Sequence, residues 1–329
     1  MTGAAAGDRG SGIGGRGPAD GDRRPAHCDG GAGLAAENAG HDHPVITDPS
    51  PGPAAVTCVV ASRNRRTDLL ASLPRHEAPV VLVDNASTDD TVEAVRAAHP
   101  EVTVVPLERN AGAVARTIGT ARAGTPFVAF TDDDSWWAPG DLARAVEVMR
   151  AHPRLGLLAA RILVGPEETL DPVCTEMADS PLGTEPDLPG PSLLGFVACA
   201  ALVRTEAFTA AGGFDEVVRF PGEEERLALD LAAAGWGLAY VDDVTVHHHP
   251  STRREPSATR QAGLWRSRVL TALMRYPLRD VAGQLLRTVR AGRVGWRGLA
   301  GAVPRVPAAL RSRRVLPQRV MHGVRELAS

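Results

Sequence analysis

The chain contains no lysine; all 36 of its basic residues are arginine. With so much alanine and glycine beside them, this points to the coding bias of a GC-rich genome and not to a device for binding. Cysteine is scarce: Cys28, Cys58, Cys174 and Cys199 are scattered, with no CxxC pair. That spacing argues against a disulfide framework or a zinc ribbon and suits a reducing, cytoplasmic setting. No run approaches eighteen uninterrupted apolar residues, so no membrane-spanning helix is expected. The first thirty residues lack the apolar stretch of a secretory signal peptide. What is present is 43% hydrophobic residues over 329 positions, enough to bury a sizeable core and to exclude global disorder. The net charge of −3 conceals an asymmetry, because residues 253–329 carry +14 and the rest −17. A basic tail on an acidic body says something about partners.

Residues 1–53 are rich in Gly, Ala, Asp and Pro and read as a disordered leader, unable to offset their ordering entropy by burial. His27, Cys28, His41 and His43 fall within it at a spacing that fits no zinc pattern. From Val56 the texture changes. Short β-branched runs at Val56–Ala61, Val80–Asp84, Val102–Pro106 and Pro126–Thr131 alternate with helical stretches near Thr67–Leu73, Asp89–Ala98 and Ala113–Ala123. Ser87 and Asp90 read as a capping box for the second helix. This alternation predicts an α/β fold with a mostly parallel sheet flanked by helices. A helix near Pro139–Ala151 and a strand at Leu155–Val164 follow. Residues 165–191 read as a long loop, Leu193–Arg204 as a buried strand, Glu223–Ala234 as a helix and Gly237–His247 as a strand. Beyond Pro250 the pattern is helical. The expected division is a leader over 1–53, a catalytic-type domain over 54–252 and a basic helical extension over 253–329.

Ligands of parallel sheets gather at the carboxyl ends of strands, and two of these strands end in carboxylates. One ends in Asp84. The other runs into Asp132, Asp133 and Asp134, whose charges repel unless a cation or basic group lies between them. Hard oxygen ligands suit Mg²⁺ or Mn²⁺, which bridge diphosphates; the alternative is an acidic cap on the next helix. Glu223, Glu224 and Glu225 open a helix whose positive end favours them in any case. His247, His248 and His249 end the next strand, either as a source of imidazole ligands or as a solvated loop end.

Taken together, residues from about 55 to 250 resemble the family 2 glycosyltransferases of the GT-A (Rossmann-like) fold. The first strand and its Ser62-Arg63-Asn64 loop are similar to that family's nucleotide loop, and Val83-Asp-Asn-Ala-Ser-Thr-Asp89 to its VDNxSxD segment. Asn110-Ala-Gly112 with Ala115–Gly119 resembles NxGxxxARNxG. Asp132–Asp134 stands where the family has its DxD motif. Gly212–Asp215, Gly222–Glu224 and the stretch up to His247 resemble GGFDE, GED and the terminal histidine element. The resemblance implies an inverting transfer of sugar from a nucleoside-diphosphate donor to an acceptor hydroxyl, without a covalent intermediate. It implies that Ser62, Arg63, Asn64, Asp84 and Arg116 bind the nucleotide sugar and that Asp132 and Asp133 contact ribose and metal. Asp134, with Asp132 and His247, would hold Mn²⁺ or Mg²⁺, and Glu224 would be the general base with Glu223 as rival. A UDP- or dTDP-sugar is the favoured donor, and a glycan, a lipid-linked molecule or a small molecule the acceptor. Four departures stand out: Arg63 for an aromatic, Thr117 for Asn, Glu224 for Asp, and the charge pair Arg226 and Asp230.

In the extension, Val281, Leu285, Leu286 and Val289 form a stripe with Arg279, Arg287 and Arg290 around it. It reads either as an amphipathic surface for anionic membrane, placing the protein on the inner face, or as a plain packed appendage. Nucleic acid is not expected, since no interleaved aromatic platform is present. Two other functions remain: a GT-A-like domain that binds without turnover, and, less in keeping with the absence of a glycine-rich signature near the first strand, a sugar nucleotidylyltransferase.

Overall fold

The computed structural model describes residues 54–251 and 257–328; the expected disordered leader lies outside the described residues. Nine strands and the first seven helices alternate in the order β1 (Val56–Ser62), α1 (Arg66–Ser72), β2 (Val80–Asp84), α2 (Thr91–Ala98), β3 (Thr103–Pro106), α3 (Val114–Ala123), β4 (Phe127–Thr131), β5 (Ser135–Trp137), α4 (Asp141–Ala151), β6 (Leu155–Val164), β7 (Thr169–Leu170), α5 (Pro172–Ala178), β8 (Ala201–Arg204), α6 (Thr205–Ala210), α7 (Glu223–Ala233) and β9 (Gly237–His248). Five helices follow among the described residues: α8 (Ser257–Arg275), α9 (Leu278–Arg290), α10 (Arg293–Ala302), α11 (Val306–Arg311) and α12 (Gln318–Glu326).

One sheet runs β3-β2-β1-β4-β8-β6-β9-β5, with β7 beside β6. Strands β1 to β4, β6 and β9 point the same way, and β5, β7 and β8 oppose them. Strands β2 and β4 are buried at every residue and β1 at all but one, as parallel strands covered on both faces must be. Close approach of α3 to the sheet needs Gly119, where a Cβ would lie 2.4 Å from Cγ1 of Val59. Register then aligns the carboxyl ends, with Ser62 opposite Asp84 and Val60 opposite Thr131. The residues that follow β1, β2 and β4 therefore meet at one edge. Cys58, Cys174 and Cys199 are buried and unpaired.

Three local expectations are corrected. The Ser87 hydroxyl does not cap α2; it donates to Asp84, and the first turn is served by Asp89, whose Oδ1 accepts from the Thr91 amide at 3.2 Å. Residues 165–191 are not all loop, because β7 pairs with β6 and Asp171 caps α5 by accepting from the Val173 amide at 3.0 Å. The strand expected over Leu193–Arg204 narrows to β8, preceded by a 3₁₀ turn at Ala198–Ala200; small apolar residues read alike in either state.

The helical extension packs on the catalytic-type unit through α7. Leu229 joins Ala272, Tyr276, Val281, Leu316, Val320 and Met321 in one apolar cluster. The stripe read on α9 splits accordingly: Val281 and Leu285 turn inward to this cluster, while Leu286 and Val289 stay exposed.

Candidate active site

Asp84 closes β2 and is only 2% exposed. Its carboxylate accepts from the Ser87 hydroxyl and, at 2.9 Å, from the Ser87 amide. Ser87 also accepts from the Asn64 amide at 2.8 Å, and Asn64 Oδ1 accepts from the Thr88 amide at 2.8 Å. Asn64 sits at φ +56°, a left-handed conformation that asparagine tolerates better than most residues. Arg63 donates from Nε to the Ala86 carbonyl at 3.2 Å. The loops after β1 and β2 are thus laced together. Beside them, a cavity of about 620 Å³ is lined by Asn64–Asp68, Asp89, Asp90 and His249–Ser251.

The three aspartates divide their tasks. Asp132 accepts from Arg116 Nη2 at 2.5 Å. Asp133 accepts from the Ser62 hydroxyl at 2.7 Å. Burial pushes the Asp133 carboxyl up to about 7, with Asp132 and Asp134 adding to the effect. For Asp134, burial alone would raise the carboxyl, but it is outweighed by His248 and the Ser251 amide, so the group stays below the usual carboxylate range. The Ser251 amide donates to Asp134 Oδ2 at 3.1 Å, and His248 Nε2 stands 3.4 Å from Oδ1.

The histidine beside Asp134 in the structure is His248, whereas the family resemblance pointed to His247. Successive side chains on a strand face opposite sides. Along β9 this sends His247 to Glu168, at 3.3 Å, and onto the Trp136 ring, at 5.6 Å between centroids. His249 shares that side, 4.8 Å from Trp136.

Helix α7 supplies the carboxylates of the opposite wall. Arg116, on α3, is held charged: burial works to lower its pKa, but Asp132, Glu223 and Glu224 overcome it. Glu223 is 1% exposed, and neither of its oxygens has a hydrogen-bond partner among the described residues. Its pKa is raised, first by burial, against the pull of Arg116. Glu224 is half-buried; burial and then the neighbouring Glu223 push its carboxyl up to about 8. Glu225 turns away and accepts from the Tyr276 hydroxyl at 3.1 Å.

The departures at Thr117, Arg226 and Asp230 have structural explanations. The Thr117 hydroxyl donates to the Phe214 carbonyl at 3.1 Å and accepts from the Phe214 amide at 2.8 Å, doing an amide side chain's work. Arg226 donates to the Gly213 carbonyl and to Asp230 at 2.7 Å, and lies 3.1 Å from Asp215. The charge pair on α7 is thus internal wiring between that helix and the turn at residues 212–215.

The model of glycosyl transferase family 2 matches residues 60–211. The chain carries a family 2 glycosyltransferase domain. It is 29% identical to the N-acetylglucosaminyl-diphospho-decaprenol L-rhamnosyltransferase of Mycobacterium tuberculosis, over 57% of this chain and 77% of that one. Among solved structures, TarS residues 1–349 of S. aureus with UDP-GlcNAc superposes with a TM-score of 0.55 at 16% identity, covering 80% of this chain and 82% of that one. A mannosyltransferase of Pyrobaculum calidifontis, solved with GDP-Man and Mn²⁺, gives 0.51 at 20% identity, covering 84% and 74%. These likenesses establish the GT-A fold, and the enzyme is a glycosyltransferase.

Sequence reading left His248 undistinguished among three histidines and missed Ser72 and Ser251. Ser72 donates to the Asp133 carbonyl at 2.8 Å from the far end of α1. No motif marks such residues; only the register of β9 and the packing of α1 bring them in.

Proposed function

We propose that the enzyme moves a sugar from a nucleoside diphosphate to an acceptor hydroxyl with inversion, aided by a divalent cation. The observation that carries this is the convergence of Arg116, Asp132, Glu223 and Glu224, from three separate elements, on one charged point at the strand ends. Asp84 accepts from an N–H of the base, which favours a UDP- or dTDP-sugar, and Ser62, Arg63 and Asn64 shape its loop. Arg116 and Asp133 flank the ribose and phosphates. Glu224 takes the acceptor proton as the sugar's anomeric carbon is attacked; a positioned base of this kind contributes about 10²–10⁴-fold. Glu223, buried and without a hydrogen-bond partner among the described residues, is the rival base.

Residues that fit a cation are Asp134 and His248, with Asp132 able to join on leaving Arg116. Among the described residues no three His, Cys, Asp or Glu side chains converge as a closed metal site. This donor set suits Mn²⁺, or less well Mg²⁺, with phosphate oxygens filling the shell. When bound, the cation offsets the charge that develops on the departing diphosphate.

The acceptor is a glycan, a lipid-linked molecule or a small molecule. No described helix is long and apolar enough to cross a membrane; we place the enzyme in the cytoplasm, at the inner face of the membrane. Measuring Mn²⁺-dependent donor hydrolysis without acceptor tests the reading. Binding of a UDP-, GDP- or dTDP-sugar with no turnover, under any acceptor, would leave only a nucleotide-sugar-binding scaffold.

A further inference from the structure

Eight of the ten large apolar side chains exposed among the described residues lie between Leu278 and Leu327. Three of them, Trp296, Val303 and Leu310, are 59%, 65% and 51% exposed and recur every seven residues. They project from the almost unbroken helical run 293–311, formed by α10, a 3₁₀ turn at Val303–Arg305 and α11. Seven residues make about two helical turns, so the spacing repeats one side. Arg293, Arg297, Ala300, Pro307 and Arg311 are exposed on that same side. The opposite side of α10, with Gly295, Gly298 and Ala302, is buried. A Cβ on Gly298 would lie 2.7 Å from Cβ of Trp265, so α10 is pressed close onto α8. The outward face is thus not a core face left bare by chance, since the helix already has its core contact.

Its charge is one-sided. Residues 281–325 hold ten arginines and no aspartate or glutamate. Several arginines are spent on structure: Arg313 on the Leu273 and Tyr276 carbonyls, Arg319 on Ala233, Arg325 on Asp280. Arg290, Arg293, Arg297, Arg311 and Arg314 enter no side-chain hydrogen bond or ion pair among the described residues. A protein partner of ordinary composition would not call for a surface lacking every acid. Nucleic acid would use the arginines but would have no use for three protruding apolar groups. An anionic bilayer uses both: apolar groups enter the headgroup boundary, indole rings rest at that level, and long basic side chains reach phosphate.

We propose that Trp296, Val303 and Leu310, flanked by Arg293, Arg297 and Arg311, seat the enzyme on an anionic lipid bilayer. This rests on the membrane-facing reading of the extension and is independent of the chemistry assigned to the active site.

The test is co-sedimentation of the full chain with vesicles of phosphatidylcholine alone and of phosphatidylcholine mixed with phosphatidylglycerol. The mixed vesicles should retain the protein and the neutral ones should not. Arg293→Gln, Arg297→Gln and Arg311→Gln together should weaken retention about a hundredfold, at about fivefold per arginine. Trp296→Ser, Val303→Ser and Leu310→Ser together should weaken it at least tenfold, and Leu170→Ser, exposed elsewhere, should not matter. All six positions are exposed, so melting temperatures should stay put and certify the fold. Retention of both triple variants equal to that of the parent, or no retention of the parent, overturns the proposal. So does tight binding of a DNA duplex that the serine variant preserves. Vesicle binding needs neither donor nor acceptor, so its failure leaves the transfer reading standing, and failed donor hydrolysis leaves this surface standing.

Discussion

Arg275 holds Asp230 in a two-pronged grip, Nε to Oδ1 at 2.5 Å and Nη2 to Oδ2 at 2.9 Å. The pair crosses from α8, in the basic extension, to α7, the helix that carries Glu223 and Glu224. Asp230 also holds Arg226, which reaches the turn at 213–215. The extension is therefore wired to the wall of the active site by buried charge as well as by apolar packing.

Removing one partner of such a pair strands the other. Arg275→Met should lower stability by about 3 kcal/mol, read as a shift in the urea midpoint. Deleting an exposed pair such as Arg150–Glu147 should cost well under about 1 kcal/mol. Similar losses from both would show that the grip on α7 is no tighter than a surface contact.

Base and bystander on α7 separate by a matched pair of variants. Glu224→Gln should keep donor and metal affinity while turnover falls about 10²–10⁴-fold. Glu223→Gln removes a carboxylate that has no hydrogen-bond partner among the described residues and should act mainly on stability. Turnover lost in Glu223→Gln and kept in Glu224→Gln would exchange the two roles.

Glu224 also dictates opposite pH trends for rate and stability. Its carboxyl is raised from 4.5 to about 8, and a base must be ionised to work. Turnover should therefore climb with pH and level off above about 8. The folded chain keeps this proton in a window where the unfolded chain has lost it. The stability it confers is complete below about 4.5 and is lost as pH rises through about 8. Melting temperatures taken between about pH 5 and about pH 9 should fall less steeply in Glu224→Gln. A parent curve flat across that window would refute the shift.

The histidine assignment divides cleanly by calorimetry. Asp134→Ala should abolish Mn²⁺-dependent binding of a nucleoside diphosphate, and His248→Ala should weaken it about 10-fold or more. His247→Ala loses a contact with Glu168 and a stacked indole, and should leave metal affinity near that of the parent. The reverse ranking of the two histidines would return the role to His247.

The parallel half of the sheet was legible because each strand is a short β-branched run closed by a turn, and because buried parallel strands need no alternation. Leu155–Val164, mostly leucine and alanine, was legible as a continuous apolar run instead. The second half was harder. Ala198–Ala201 is small and apolar throughout, so its 3₁₀ turn and its strand look alike until β4 and β6 claim Ala201. Near the strand ends, motif reading named Asp84, Arg116, Asp132 and Glu224 from their types and order, and the structure brings Arg116, Asp132 and Glu224 together. His248 was not. Choosing among three consecutive histidines requires the facing of β9, set by its pairing of His247 with Trp136. The same limit applied to α9, where one stripe of apolar residues serves two surfaces.

The backbone around Asp132, Asp133 and Asp134 is fastened at every residue. The Asp132 amide donates to Ser135 Oγ at 2.8 Å, Ser72 holds the Asp133 carbonyl, and the His249 amide donates to the Asp134 carbonyl at 2.8 Å. Three adjacent carboxylates are thus kept close by a scaffold that does not depend on an incoming ligand. The work of crowding like charges together is done once, when the polypeptide folds, and is not repeated at each catalytic cycle. On the proposed reading, an arriving nucleotide sugar would meet donors and acceptors already aimed, so little conformational entropy would be left for binding to spend.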